Sequence, residues 1–244
     1  MARTEDAQQR ELYVRGVKTE VAIARTRAEV ATLSADLAKD GLLGWGGGTV
    51  SARVPGADLF VIKPPAGEHD DLAPENMIVC DLDGDAVEGT PGSERLPSGD
   101  VAAHSRVYRT FPAVHGVVRS QSPHVLARAA AGRGIPCFVV SMAERFGGGV
   151  PVVTAPLDDP DAVATDVAVA LTSGPAPAVL VAGDGAYVTG TSARDAAKAA
   201  ALVEELARVA DLAPDDLDPL PQPLVDRLHA AHRRRSTQTT DDRR

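Results

Sequence analysis

Asp100 and His104 stand one helical turn apart in Ser98-Gly99-Asp100-Val101-Ala102-Ala103-His104. On a helix, positions i and i+4 share a face, so this carboxylate and this imidazole could meet. Such a pair can move protons, the carboxylate as general base and the imidazole orienting it or exchanging protons with it. The competing account is structural: an acid at a helix start offsets the helix dipole, and a lone helix histidine packs. Tyr187 follows Asp184 by three residues and is expected to line the same pocket, with core packing as its alternative. His69, His115 and His124 share no metal-ligand spacing. Cys80 and Cys137 lie far apart, outside any C-x-x-C context, and each closes an apolar run. They read as two buried thiols in a reducing compartment rather than as a disulfide.

The chain must be able to hold these groups in place. Its 244 residues suffice for one large domain with a substantial core. Aromatic residues make up only 3%, so that core is built from Val, Leu, Ala and Ile. The net charge of −9 argues against nucleic acid or an anionic membrane as the main partner. The start of the chain is charged, with no apolar segment after it, and no stretch approaches the ~20 apolar residues of a membrane span. The expectation is a cytoplasmic protein.

Apolar residues recur at helical spacing from Val17 to Ala38, with Gly41 as a C-terminal stop. A glycine-rich turn follows. Short apolar or alternating runs predict strands at 49–54, 59–62, 77–81, 116–120, 138–141, 150–155, 178–181 and 186–189. Asp83-Gly84 reads as a hairpin turn into Ala86-Val87. Helices are predicted at about 100–109, 124–131, 161–172, 192–210 and 224–232; Ser192 and Asp195 begin the fourth as cap and capping-box acid. Helices that bracket and interrupt short strands joined by tight turns indicate a largely antiparallel sheet covered by helices, an α/β fold. The main domain is expected over residues 1–212. A Pro-rich linker and short helix then cover 213–232, and a polar, disordered tail covers 233–244.

Five segments together resemble the class II aldolase/adducin family, which includes fuculose-phosphate aldolase and ribulose-5-phosphate 4-epimerase. They are Gly41-Leu42 through Gly48-Thr49-Val50-Ser51-Ala52-Arg53; Phe60-Val61-Ile62-Lys63-Pro64; Leu96-Pro97-Ser98-Gly99-Asp100 with His104 and Tyr108; Gly116 through His124; and Val179 through Gly185 with Gly190. They lie in family order over roughly residues 15 to 210. The resemblance implies an α/β/α sandwich, a homotetramer with sites at subunit interfaces, and a divalent metal, usually zinc.

The departures are as informative. The positions of the family's three metal-binding histidines are occupied by Arg119, Gln121 and Asp184. An arginine repels a cation and cannot ligate one, so no metal and no other cofactor is expected. The phosphate-holding positions are Thr49, Pro65-Ala66 and Ser98-Gly99, with two hydroxyls and one N–H lost. Thr49, Ser51 and Ser98 remain as donors, and Lys63 persists.

Carried over by resemblance, Asp100 aligns with the family's acid/base residue. Arg119 places a fixed cation where relatives hold their metal, able to bind a carboxylate or enolate oxygen; the alternative is an ion pair with Asp184 that closes the site. Glu144 and His229 fall loosely at catalytic positions of the epimerase. The expected catalytic set is therefore Asp100, Arg119, Glu144 and His229. The expected substrate-binding set is Thr49, Ser51, Lys63, Ser98, His104, Gln121, Asp184 and Tyr187. The function expected is a metal-independent lyase or isomerase on a small carbonyl or carboxylate substrate. The alternative is an inactive, adducin-like binding or scaffold protein.

Overall fold

The structure is a computed structural model that describes residues 2–45, 47–65, 72–87, 97–214 and 216–241, with backbone alone at 2–15 and 237–241. Ala66 and His69 lie outside the described residues.

A long helix α1 (Ala2–Lys39) opens the chain. It stops where expected: Gly41 takes φ 73°, and the N–H groups of Gly41 and Leu42 return to the carbonyls of Ala38 and Leu37. That double return is a glycine-closed helix end. Strands β1 (Thr49–Arg53), β2 (Leu59–Ile62) and β3 (Ile78–Asp81) follow. Then come α2 (Val101–Thr110), β4 (Gly116–Ser120) and α3 (Pro123–Ala130). The second half holds α4 (Val140–Phe146), β5 (Val152–Val153), α5 (Pro160–Thr172), β6 (Ala178–Val181), β7 (Gly185–Gly190), α6 (Ala193–Leu212) and α7 (Gln222–Asp241).

Among the described residues the strands form one sheet in the order β3-β2-β1-β4-β7-β6-β5. All neighbours are antiparallel except β5 and β6. Two apolar layers sandwich it. Phe60, Ile62, Val117, Val179 and Tyr187 face α2 and α5, whereas Val50, Val118, Leu180 and Val188 face α1, α3 and α6. This is the expected α/β/α sandwich. No described helix is long and apolar enough to cross a membrane.

Some elements differ from expectation. The run Phe138–Ser141, expected as a strand, leads into helix α4 instead, closed by Gly147 at φ 70°. The run 150–155 contributes only a two-residue strand. The second arm of the hairpin after Gly84 reduces to a bridge between Cys80 and Ala86. The last helix runs far beyond residue 232, through Arg233–Arg235, where composition suggests a solvated tail. It packs on α4.

Helix α6 lies on bare backbone. A Cβ on Gly116 would fall 2.4 Å from Ala193 Cα, and one on Gly190 would fall 2.3 Å from Ala196 N. Neither neighbour can move without shifting the helix. Gly190→Ala is therefore expected to destabilise the fold by about 2–3 kcal/mol. Calorimetry should show a melting midpoint at least ~5 °C lower; an unchanged midpoint would mean that α6 slides freely.

Candidate active site

Strand register builds the site. Thr49 on β1 pairs with Arg119 on β4, and Arg119 pairs with Tyr187 on β7. Laterally paired residues point to one face, so these three side chains form a row across three strands, on the α2 side. Asp184 sits in the turn from β6 to β7, between Gly183 (φ 77°) and Gly185 (φ 149°). A side chain at Gly185 would also strike the Ser120 carbonyl, at 2.4 Å. Asp100 stands over the row at the start of α2.

Arg119 is the hub. Its Nε donates to Asp184 Oδ2 at 3.0 Å, and its Nη2 donates to Asp184 Oδ1. Its Nη1 donates to the Gly47 carbonyl at 2.7 Å and reaches Asp100 Oδ2 at 3.4 Å. The side chains of Arg119, Asp100 and Asp184 are only 12%, 14% and 17% exposed. Burial works against the guanidinium's charge, but the Asp184 hydrogen bonds and both carboxylates outweigh it, so Arg119 holds its proton more tightly than usual. Gln121 Nε2 donates to the Asp184 carbonyl at 3.0 Å and fills the space above Gly47.

Asp100 is held by one oxygen. Oδ2 accepts from the Thr49 hydroxyl, from Ser98 Oγ at 3.2 Å and from Arg119. No described residue donates to Oδ1. Asp100 is the N-cap residue of α2 in position only, since its side chain makes no cap hydrogen bond. It stands where an acid offsets the helix dipole, but its side-chain hydrogen bonds go to the site and not to the helix N–H groups. Thr49 and Ser98, expected as phosphate donors, direct their hydroxyls to Asp100.

Ser51 and His104 lie deeper, both 0% exposed. Ser51 Oγ is 2.7 Å from His104 Nδ1 and 2.7 Å from the Tyr108 hydroxyl. His104 Nε2 is buried without a partner, and its ring meets Tyr187 edge-on at 6.2 Å. Burial, then the Arg119 charge, pushes the His104 pKa down to about 3. Lys63 is 7% exposed and donates to the Pro64 carbonyl at 3.1 Å. Burial lowers its pKa, with the Asp100 charge opposing.

The His104 shift has a consequence for stability. In the unfolded chain a histidine takes up its proton near pH 6.5, whereas His104 in the fold does so only near pH 3. Between those values the unfolded state binds more protons, so stability falls as the pH is lowered. The slope is expected to be roughly 1 kcal/mol per pH unit. Urea unfolding at pH 6.5 and 4.5 should show a shallower loss in His104→Gln than in the native chain; equal losses would place the acid sensitivity elsewhere.

Asp100, Asp184 and Tyr187 line a cleft with Gly99, Ala103, Leu157, Pro160 and Val163. Thr49, Ser98, Arg119 and Gln121 back it through the contacts above. Glu144 and His229 do not join them within the chain. They meet each other, His229 Nδ1 lying 2.9 Å from the Glu144 carbonyl, and the Glu144 carboxylate pairs with Arg235 at 2.7 Å. Sequence reasoning missed the Gly47 carbonyl as an Arg119 acceptor and the apolar wall from Leu157, Pro160 and Val163. The glycine turn hinted at the former; nothing marked the latter.

The donor set does not suit the divalent ion that the resemblance implies. An ion at the Arg119 position would meet a fixed cation, and both Asp184 oxygens are engaged by it. Among the described residues, no three His, Cys, Asp or Glu side chains are grouped to hold a metal.

A helix-covered antiparallel sheet with this cleft over β1, β4 and β7 defines an aldolase-type sandwich. The model of the class II aldolase and adducin N-terminal domain matches residues 28–210, and the chain belongs to that family. It is 31% identical over 218 residues to L-ribulose-5-phosphate 4-epimerase UlaF of Salmonella paratyphi B, covering 85% of this chain and 93% of the relative. Among solved structures it is similar to an L-fuculose 1-phosphate aldolase, with TM-score 0.76 and 22% identity over 86% of this chain and 96% of that one. YgbL from Klebsiella pneumoniae superposes with TM-score 0.71 and 26% identity, over 84% and 98% of the two chains.

Proposed function

We propose that the chain is a divergent enzyme of the aldolase and epimerase type, a lyase or isomerase that acts on a small hydroxylated carbonyl compound without a divalent metal. The observation that carries this reading is the Asp100 carboxylate: one oxygen anchored by three donors, the other unpaired at the wall of a cleft it shares with Tyr187. A base fixed in this way can take the proton from a carbon beside a carbonyl. The electron pair then moves onto the carbonyl oxygen, and the Arg119 charge nearby stabilises it. Four of the five Arg119 N–H groups are engaged, so the guanidinium acts mainly through its field, with one N–H left to donate. The relatives named for sugar-phosphate epimerase and aldolase activity support this class of chemistry.

A second reading has one observation in its favour. Arg119 is so fully paired that the site could be closed by its own ions, as in a binding or scaffold protein. Deuterium exchange separates the two. Dihydroxyacetone and dihydroxyacetone phosphate in heavy water should lose their α-proton NMR signals faster with the protein than with buffer. Exchange at the buffer rate for both compounds would favour the scaffold.

A further inference from the structure

The cleft beside Asp100 has a chemical preference of its own, and naming it rests on the enzymatic reading above. Asp100 and Asp184 stand on its wall, while Arg119 is not among the residues that line it. A ligand in the cleft therefore meets two carboxylates before it meets the guanidinium. The free oxygen of Asp100 is an acceptor with no donor.

Tyr187 supplies the second, independent sign of a ligand. It is 2% exposed and lines the cleft, and its hydroxyl has no hydrogen-bond partner among the described residues. Its oxygen is not one of the sealed, unpartnered polar atoms of the interior, so it opens to the cleft, where it can take a donor from a ligand. Burial, then the charges of Asp100 and Asp184, push the Tyr187 pKa up, and Arg119 only partly opposes them. The hydroxyl thus sits in a net negative field and keeps its proton.

The remaining wall is apolar: Ala103, Leu157, Pro160 and Val163. The cavity is about 80 Å³. At the ~10–15 Å³ of such space that one water needs, that is room for roughly five to eight non-hydrogen atoms, the size of a three-carbon polyol.

We propose that this cleft takes the hydrogen-bond-donating end of the ligand, a short polyol or amino-polyol fragment whose hydroxyl or ammonium protons go to Asp100 Oδ1 and the Tyr187 oxygen, and that it turns away carboxylates. The carboxylate-binding part first expected of Arg119 is thereby replaced. Four of its five N–H groups are taken by Asp184, Gly47 and Asp100, and an incoming carboxylate would face two of its own kind.

Three probes of equal length test this: glycerol, 2-amino-1,3-propanediol and glycerate, titrated into the full chain at near-physiological salt and followed by ligand-observed NMR. The aminodiol is expected to bind at least about tenfold more tightly than glycerate, with glycerol between them. Asp100→Asn should abolish most of that preference, and Tyr187→Phe should weaken glycerol and the aminodiol alike. Asp83→Asn, an exposed acid that does not line the cleft, controls for the overall negative charge and should leave the preference unchanged. Glycerate binding as tightly as the aminodiol would overturn the proposal. So would a preference that survives both cleft substitutions, or no saturable binding of any probe. Because binding is read without turnover, failure here is distinct from failure of the exchange experiment.

Discussion

Arg119→Ala is expected to lower the free energy of unfolding by about 3 kcal/mol. Removing one partner of a buried ion pair typically costs about 3–5 kcal/mol, because the other charge stays buried without compensation. Here two carboxylates, Asp184 and Asp100, would be left, each repelling the other. Their 14–17% side-chain exposure admits some solvent screening, which places the estimate at the lower end of that range. Arg119→Lys should recover part of the loss at most, since a point charge cannot reproduce the fork on Asp184. Exchanging both partners, Arg119→Met with Asp184→Leu, should be less harmful than Arg119→Ala alone, because no stranded charge remains. Urea unfolding of the four chains measures this. A loss below about 0.5 kcal/mol in Arg119→Ala would place the guanidinium in water and remove the basis for its part in the site.

Asp100→Asn is expected to slow exchange of the α-protons of dihydroxyacetone by about 10²- to 10⁴-fold, the usual contribution of a positioned general base. The amide keeps the shape and can still accept from Thr49 and Ser98 on its oxygen, so the fold should be little changed. It cannot take up a proton. Retained exchange in this variant would assign the base to another group. His104, with its unpartnered Nε2 and a pKa near 3, would be examined next.

Much of this arrangement was legible before any coordinates. Alternation marked β1, and a short apolar run marked β4, both of which form. The spacing of Asp100, His104 and Tyr108 marked one face of α2. The Arg119 and Asp184 substitutions suggested a compensating pair, and the pair is formed. What stayed hidden depends on distant segments. The Gly47 carbonyl reaches Arg119 only because the glycine turn folds back over Gln121. The hydroxyls of Thr49 and Ser98 were read as facing a ligand; their convergence on Asp100 follows from the docking height of α2, which no local pattern encodes. Helix α4 was mistaken for a strand because seven residues span too few turns to show a helical period, and Phe138-Val139-Val140 has strong strand propensity. Glu144 and His229 were aligned to catalytic positions across loosely matching segments, and within the chain they hold α4 and α7 together.

A carboxylate tethered through a single oxygen cannot turn over. The free lone pairs of Asp100 therefore reach a carbon in the cleft from the Asp100 wall, and the same oxygen that takes a proton there holds it for return. A planar enolate formed there would regain its proton on the face that lost it. Handedness in any product would then be dictated by Thr49 and Ser98, residues that never contact the reacting carbon.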